Sequence, residues 1–417
     1  MKKKFFKIVT LGCKVNQYES DKIKSELVRR GLAEAAGEQE ADFYIVNTCI
    51  VTREAGRKSR QLIRRGFKTS HPVKVYALGC AVDAGNALEG LPSEVIMLNN
   101  CEKELLPGII AQHREKNNND SEPGGNRTRA LLKIQEGCDN FCSYCIIPHV
   151  RGRSRSREPG DILAELKQLE EMGYGEVVLT GIHMGDYGKK ISRKLDLAGL
   201  IKFLLRNSSI KRLRLSSLEP MDFSFDIIDL FGGFPAFCRH LHLSLQHASN
   251  KILKLMNRNY SIEEYDKIVR TAISKYPQMA ITTDIIVGFP GETAEDFQLL
   301  YDYLQKSPIY MAHIFPFSLH LQTKAAGLKG FVTGDVKRER LNLLMELREI
   351  KIKKYLDKFL NRNLEILVEQ EVKPGLMMGH TGNYLPVVLP GKKQLVNEFI
   401  KVNIIKRMED RLYGEKA

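Results

Sequence analysis

The segment Gly137-Cys138-Asp139-Asn140-Phe141-Cys142-Ser143-Tyr144-Cys145 carries three thiols at C-x3-C-x2-C spacing. Thiolates are soft ligands that suit zinc or iron–sulfur clusters. Three can hold three irons of a [4Fe–4S] cubane and leave the fourth iron open to amino and carboxylate groups of a substrate. His149 follows Cys145 by four residues, so a Cys3His zinc site from Cys138, Cys142, Cys145 and His149 is the competing reading. Colour separates the two, because a cubane absorbs visible light and zinc does not.

A second set of thiols is scattered. Cys13, Cys49 and Cys80 end the strings TLGC, VNTC and ALGC, each of which closes a predicted strand. In an open parallel sheet the carboxyl ends of the strands share one edge, and that edge is where such sheets bind ligands. Three distant thiols are therefore expected to converge as a second metal centre. The bland alternative is apolar burial at the sheet edge. Cys101 follows a fourth predicted strand and is a weaker candidate, and Cys238 reads as core.

These thiols need elements to position them. Apolar runs at 6–12, 42–49, 73–80 and 94–100, with helical stretches at 18–30 and 52–68, predict a doubly wound parallel sheet over residues 1–115. Residues 116–126 (KNNNDSEPGGN) read as a linker. From 127 to 358 the rhythm repeats, with strands at 131–135, 176–181, 211–217, 240–246, 280–288 and 310–318. Six such units predict a partial (β/α)6 barrel, two short of a complete one. The helices between them are expected at 160–172, 195–206, 249–256, 261–275 and 293–306. A long helix over 335–359 places Leu341, Leu344, Leu347 and Ile350 on one stripe. Residues 359–417 predict a small β-barrel. The fold class is α/β with this terminal β domain.

The composition is globular: 43% hydrophobic and 27% charged residues in a chain of 417. This excludes a disordered or collagen-like chain. The formal charge of +14 suggests a polyanionic partner. No apolar run approaches the roughly 18 residues of a spanning helix, so no membrane association is expected. In the reducing, cytoplasmic compartment this implies, the eight cysteines are read as ligands, nucleophiles or core residues before disulfides.

The C-x3-C-x2-C loop after a strand resembles the radical S-adenosylmethionine (SAM) enzymes, and GCDNFCSYCIIPHVRGRSRSR resembles their methylthiotransferase branch. The N-terminal three-cysteine domain, the radical-SAM domain and a terminal TRAM-type β domain occur in this order in that family. TLGCKVNQYES and GHTGNYLPV are similar to the subgroup that modifies N6-threonylcarbamoyladenosine beside the tRNA anticodon. Sister groups act on isopentenyladenosine or on a ribosomal protein aspartate. The sixth strand end departs from the family at Phe317, His320 and Gln322, where Tyr, Arg and Gly are usual. A non-enzymatic zinc-dependent RNA-binding module is the reading from a different class, and it predicts a colourless protein.

The resemblance implies two [4Fe–4S] clusters and two SAM. One cluster, on Cys138, Cys142 and Cys145, would cleave SAM to a 5′-deoxyadenosyl radical. The other, on Cys13, Cys49 and Cys80, would carry the sulfur that a second SAM methylates. The methylated sulfur would then join carbon 2 of the adenine. Tyr144, Thr180, Gly181, Ser216, Glu219, Ser244, Gln246 and Arg258 are the implied SAM contacts, although Ser216, Glu219 and Gln246 could equally satisfy backbone groups. Partners would be an anticodon loop and an unidentified electron donor.

RNA phosphates could be held by Arg151, Arg153, Arg155 and Arg157, which share one face if that segment is extended. Basic residues of 52–68 and the terminal Lys392, Lys393, Lys401, Lys406 and Arg407 are further candidates.

Overall fold

The computed structural model describes residues 3–69, 71–111, 128–191 and 195–417. The expected linker at 116–126 lies outside the described residues. The described chain forms two compact units. One comprises the residues up to 111 with Glu136–Arg155 and Ser318–Ala326; the other comprises the rest.

In the first unit five parallel strands pair in the order Ala33–Glu34, Phe5–Thr10, Phe43–Thr48, Lys74–Gly79, Ile96–Leu98. Alternation along the third strand divides its side chains between two cores. Phe43 and Ile45 meet Ile23 and Leu27 of helix Lys14–Arg29 on one face. Tyr44 and Val46 meet Ile63 of helix Arg53–Arg65 on the other. This is the expected doubly wound sheet. Its strand order reverses at Phe5–Thr10, which makes the neighbouring carboxyl edge a switch point. The two-residue strand Ala33–Glu34 was too short to show in the sequence pattern.

The second unit holds the six expected strands. Arg129–Lys133, Glu176–Thr180 and Arg212–Leu215 pair in parallel; Ser217–Leu218, His240–Leu243, Ala280–Val287 and Met311–Pro316 form a second parallel set. The third strand is broken at Ser216 into two pieces that serve different neighbours. The helices between strands fall close to the predicted ranges. Asp226–Gly233 is an additional one, whose short span between Phe and Gly residues gave little periodic signal.

Leucines and isoleucines at alternate positions (Leu213, Leu215, Leu241, Leu243, Ile281, Ile285) pack in the core with the helices. Arg214, Ser216, His240, His242, Thr282 and Asp284 therefore take the opposite, inner face.

The long helix runs Gly334–Leu356. Leu344 and Leu347 are buried on it, but Ile350 is 63% exposed, which corrects the predicted stripe. Each step of three residues falls about 60° short of a full turn, so three steps carry Ile350 about 180° from Leu341. The buried path continues instead through Ile352, Tyr355 and Leu356.

Five strands then close a barrel in the order Asn363–Lys373, Leu376–Thr381, Pro386–Pro390, Arg411–Lys416, Phe399–Met408. Its interior residues Ile366, Val387 and Val402 share one core with Tyr310, Ala280, Tyr355 and Phe359.

Candidate metal centres and cofactor site

The strings that carry the scattered thiols end their strands as expected: Cys13 follows Thr10, Cys49 follows Thr48 and Cys80 follows Gly79. Gly12 has φ +95°, and a Cβ there would lie 2.9 Å from both Cβ and Sγ of Cys49. Gly79 has φ +86°, and a Cβ there would meet Asn47 Oδ1 at 2.5 Å. Only glycine fits where these turns cross the neighbouring strand end.

VNTC has no glycine; its side chains make the cross-links. Thr48 Oγ1 donates to Leu78 O at 2.6 Å and accepts from Ala81 N at 3.1 Å. Asn16 Nδ2 donates to Leu11 O at 2.7 Å and Thr48 O at 2.9 Å. Three successive strand ends are thus tied together.

Cys49 and Cys80 are buried, and Cys13 is exposed. Burial pushes the Cys49 thiol up to about 11, and the neighbouring Cys80 and Cys13 push in the same direction. Burial also raises Cys80, against the opposing charge of Arg151. Thiols that resist ionisation alone suit a positive metal centre, which would supply the missing counter-charge. Cys13 sits at the N-cap of the 16-residue helix Lys14–Arg29, where the helix dipole favours an anionic ligand.

The consecutive thiols lie in the same unit. Cys138 N donates to Gly152 O at 3.0 Å, and Cys145 N to Cys142 O at 3.0 Å. Gly137 has φ +71°, and a Cβ there would fall 2.1 Å from Arg153 O, so the loop closes on itself only because residue 137 is glycine. Tyr144 is half-buried within the loop. Ser143 O accepts from Ala325 N at 2.7 Å.

Among the described residues no three sulfur or imidazole donors at these cysteines lie within 4.8 Å of one another. His149 is exposed and stacks edge-on against Phe141 at 6.0 Å. Cys13, Cys49 and Cys80 lie close enough to raise one another electrostatically, so three soft donors of the kind that hold a metal centre are brought together.

Helix Ile147–Arg151 follows the loop and buries Ile146 and Val150 in the core with Ile50, Cys80 and Ala81. This overturns one expectation. Arg151 does not share an exposed face with Arg153, Arg155 and Arg157. Its side chain has no exposed surface and donates to Cys80 Sγ at 3.2 Å, Glu136 Oε1 at 2.6 Å and Glu19 Oε1 at 3.2 Å.

The segment is not extended at Arg151; it ends a helical turn there and reverses at Gly152, φ +70°. Arg157 is also occupied, with Lys133 O at 2.7 Å and Glu165 at 2.8 Å. Arg153 and Arg155 are exposed. Arg153 lies 3.5 Å from Asp139 and stacks over Phe141.

In the second unit Thr180, Gly181, Ser216, Glu219, Ser244 and Gln246 lie at the carboxyl ends of the parallel strands, and Arg258 follows helix Asn250–Leu255. Thr180 and Ser216 hydroxyls are 3.5 Å apart. Gly181 is crowded, a Cβ there lying 2.9 Å from Met184 Cγ. Glu219 pairs with Arg258, whose Nη2 also reaches Ser244 O at 3.4 Å. Gln246 has φ +64°, and its backbone pairs with Asp284 O and Ile286 N. The side chains of Ser216 and Glu219 bond to other side chains, Thr180 and Arg258, rather than to backbone groups. Glu292 of the Gly-Phe-Pro-Gly-Glu turn accepts from Gly288 N at 2.7 Å and Phe289 N at 3.1 Å, which makes it a structural anchor.

Cys238 is buried as expected, its thiol raised to about 11 by burial. Cys101 is exposed in the loop after Ile96–Leu98.

Sequence reasoning missed two groups. Asn16, Glu19 and Lys103 surround Arg151, with Lys103 Nζ 2.6 Å from Glu19. On the inner face His242, Asp284 and His313 approach within 4.8 Å. Both ring nitrogens of His242 are engaged, with Asp284 at 3.1 Å and Thr282 Oγ1 at 2.8 Å, so the pair is complete without an ion. Polar residues at period 2 in otherwise buried strands (HLHLS, TTDII, AHIFP) were the available signal.

Three family models match the chain: the Radical SAM superfamily over residues 132–304, the Uncharacterized protein family UPF0004 over 5–101, and the TRAM domain over 357–417. The parallel-strand fold with its thiol loop is thus that of a radical SAM enzyme. Among solved structures, the radical SAM methyltransferase TsrM from Kitasatospora setae shares this fold, with TM-score 0.55 at 15% identity over 78% of this chain and 77% of that one.

The threonylcarbamoyladenosine tRNA methylthiotransferase MtaB of Bacillus subtilis is 36% identical over 95% of this chain and 93% of its own length. The MtaB of Aquifex aeolicus is 34% identical over 95% and 98%. A tRNA-2-methylthio-N(6)-dimethylallyladenosine synthase of Moorella thermoacetica is 32% identical over 99% and 98%. The chain belongs to the radical SAM methylthiotransferase family.

Proposed function

We propose that this chain methylthiolates carbon 2 of N6-threonylcarbamoyladenosine next to the tRNA anticodon, with SAM and two [4Fe–4S] clusters, in the cytoplasm. The observation that carries the two-cluster reading is the presence of two separate sets of three thiols in one compact unit. Cys138, Cys142 and Cys145 would hold one cluster, and Cys13, Cys49 and Cys80 the other. When bound, these groups supply the one-electron chemistry and the sulfur that no side chain can provide. The protein's part is to hold and shield them: Glu219 and Arg258 order the strand ends where SAM would bind, and buried Asn47 and Thr48 fix the edge that carries the second set. The five-stranded barrel and exposed Arg153 and Arg155 would engage RNA, where unstacked loop bases are read. The enzyme must draw its base out of the stack to reach carbon 2.

The substrate reading rests on the MtaB-named relatives at 36% and 34% identity. The dimethylallyladenosine synthase at 32% supports dimethylallyladenosine as a second reading. Mass spectrometry of tRNA nucleosides from a strain with and without the gene separates them. Loss of the 2-methylthio derivative of threonylcarbamoyladenosine on deletion, restored by wild type but not by Cys142→Ala, is the expected result. Loss of the dimethylallyl derivative instead supports the second reading.

A further inference from the structure

Arg151 has five N–H donors, and all are used. Nε donates to Cys80 Sγ at 3.2 Å. Nη1 serves Glu19 Oε1 at 3.2 Å and Glu136 Oε1 at 2.6 Å; Nη2 serves Glu19 Oε2 at 3.2 Å and Asn16 Oδ1. The side chain is wholly shielded from solvent.

Three carboxylates, Glu19, Glu136 and Asp83, lie near the two cations Arg151 and Lys103. Arg151 and Lys103 face Glu19 and Glu136, with Lys103 Nζ at 2.6 Å from Glu19. The four Nη donors go to oxygen acceptors, and the Nε donor goes to the thiol of Cys80. Glu136 precedes the first cysteine of the consecutive set by two residues, and Arg151 follows the last by six. One guanidinium thus closes the loop of one thiol set and touches a ligand of the other.

We propose that Arg151 is a positioning residue that tunes the cluster held by Cys13, Cys49 and Cys80, by donating a hydrogen bond to the Cys80 sulfur. This rests on the reading that these three thiols hold a cluster. Hydrogen bonds to ligating sulfurs and nearby positive charge favour the reduced, more negative form and raise the reduction potential. A merely structural arginine would leave the potential where it is.

The test uses the full chain with Cys138, Cys142 and Cys145 changed to Ala, reconstituted anaerobically with iron and sulfide. Electron paramagnetic resonance titration of this protein is compared with its Arg151→Gln and Arg151→Lys forms. The expected result is a lower midpoint potential for Gln, partly recovered by Lys, at equal iron content. Equal potentials in all three overturn the proposal. Failure of the Arg151-containing protein to take up iron removes the cluster reading itself and the proposal with it.

Because a buried arginine can be needed for folding, a second measurement uses the same chain with Arg151 intact. Pulsed resonance on [15N]arginine-labelled protein is expected to show a guanidinium nitrogen coupled to the reduced cluster. Absence of that coupling overturns the assignment.

Discussion

Arg214 donates from Nε to Glu176 Oε1 at 2.7 Å, both side chains being almost fully buried on the inner face of the strands. The same guanidinium reaches Gly382 O at 3.0 Å and Thr381 O at 3.2 Å, and lies 4.5 Å from the ring centre of Tyr384. A buried pair loses about 3–5 kcal/mol when one partner is removed, because the other is stranded. Arg214→Met should destabilise the second unit by about that amount, measured by urea unfolding.

The pair also carries a pH signature. Burial alone would raise the Glu176 carboxyl, but Arg214, Arg129 and Arg212 hold it below the usual range. A carboxyl depressed on folding stabilises fully above its unfolded value of about 4.3, and that stability is lost as pH falls through the folded value. The stability gap between wild type and Glu176→Gln should be constant near neutrality and shrink below about pH 4.3. A gap that widens on acidification would contradict this.

The two thiol sets should separate in function. Cys49→Ala should retain about half the iron and still cleave SAM in the presence of dithionite. Cys142→Ala should retain about half the iron and cleave none. Iron assay with chromatography of 5′-deoxyadenosine checks both.

Gly12→Ala should behave as a cysteine variant at a distance. The φ of +95° disfavours any Cβ, and that Cβ would press on Cys49. The strain costs about 1–3 kcal/mol. The expected outcome is a folded protein that assembles less iron in the first unit, read by visible absorption. Gly85→Ala, with φ +66° but open space around it, should be no worse than the strain alone.

The arginines after the loop divide by exposure. Arg155→Ala should weaken tRNA binding and reduce the salt slope by about 1. Arg157→Ala, whose partners are Lys133 O and Glu165, should lower stability and leave the slope unchanged. Filter binding at several salt concentrations gives the slopes.

Much of this was legible from the residues. TLGC, VNTC and ALGC placed the three thiols at the ends of neighbouring strands, because strand ends of a parallel sheet share an edge. The strand–helix rhythm located all six strands of the second unit. Arg151 was misread because period-2 reasoning assumes extended backbone, and a five-residue helix intervenes. Nor could local pattern reveal that Glu136–Arg155 packs with the first sheet, since Ile146 and Val150 find their partners far away in sequence. Ile350 failed for a simpler reason: steps of three drift around a helix.

The shared interior of the terminal barrel has a practical consequence. Ile366, Val387 and Val402 fill the same apolar space as Ala280 and Tyr310 of the parallel strands. The barrel is no detachable appendage. Truncating the chain after Phe359 would strip the floor from the strands above and leave Arg214 without its carbonyl partners. A deletion meant to report on RNA capture would thus yield a misfolded enzyme, and only surface substitutions on the barrel can isolate its contribution.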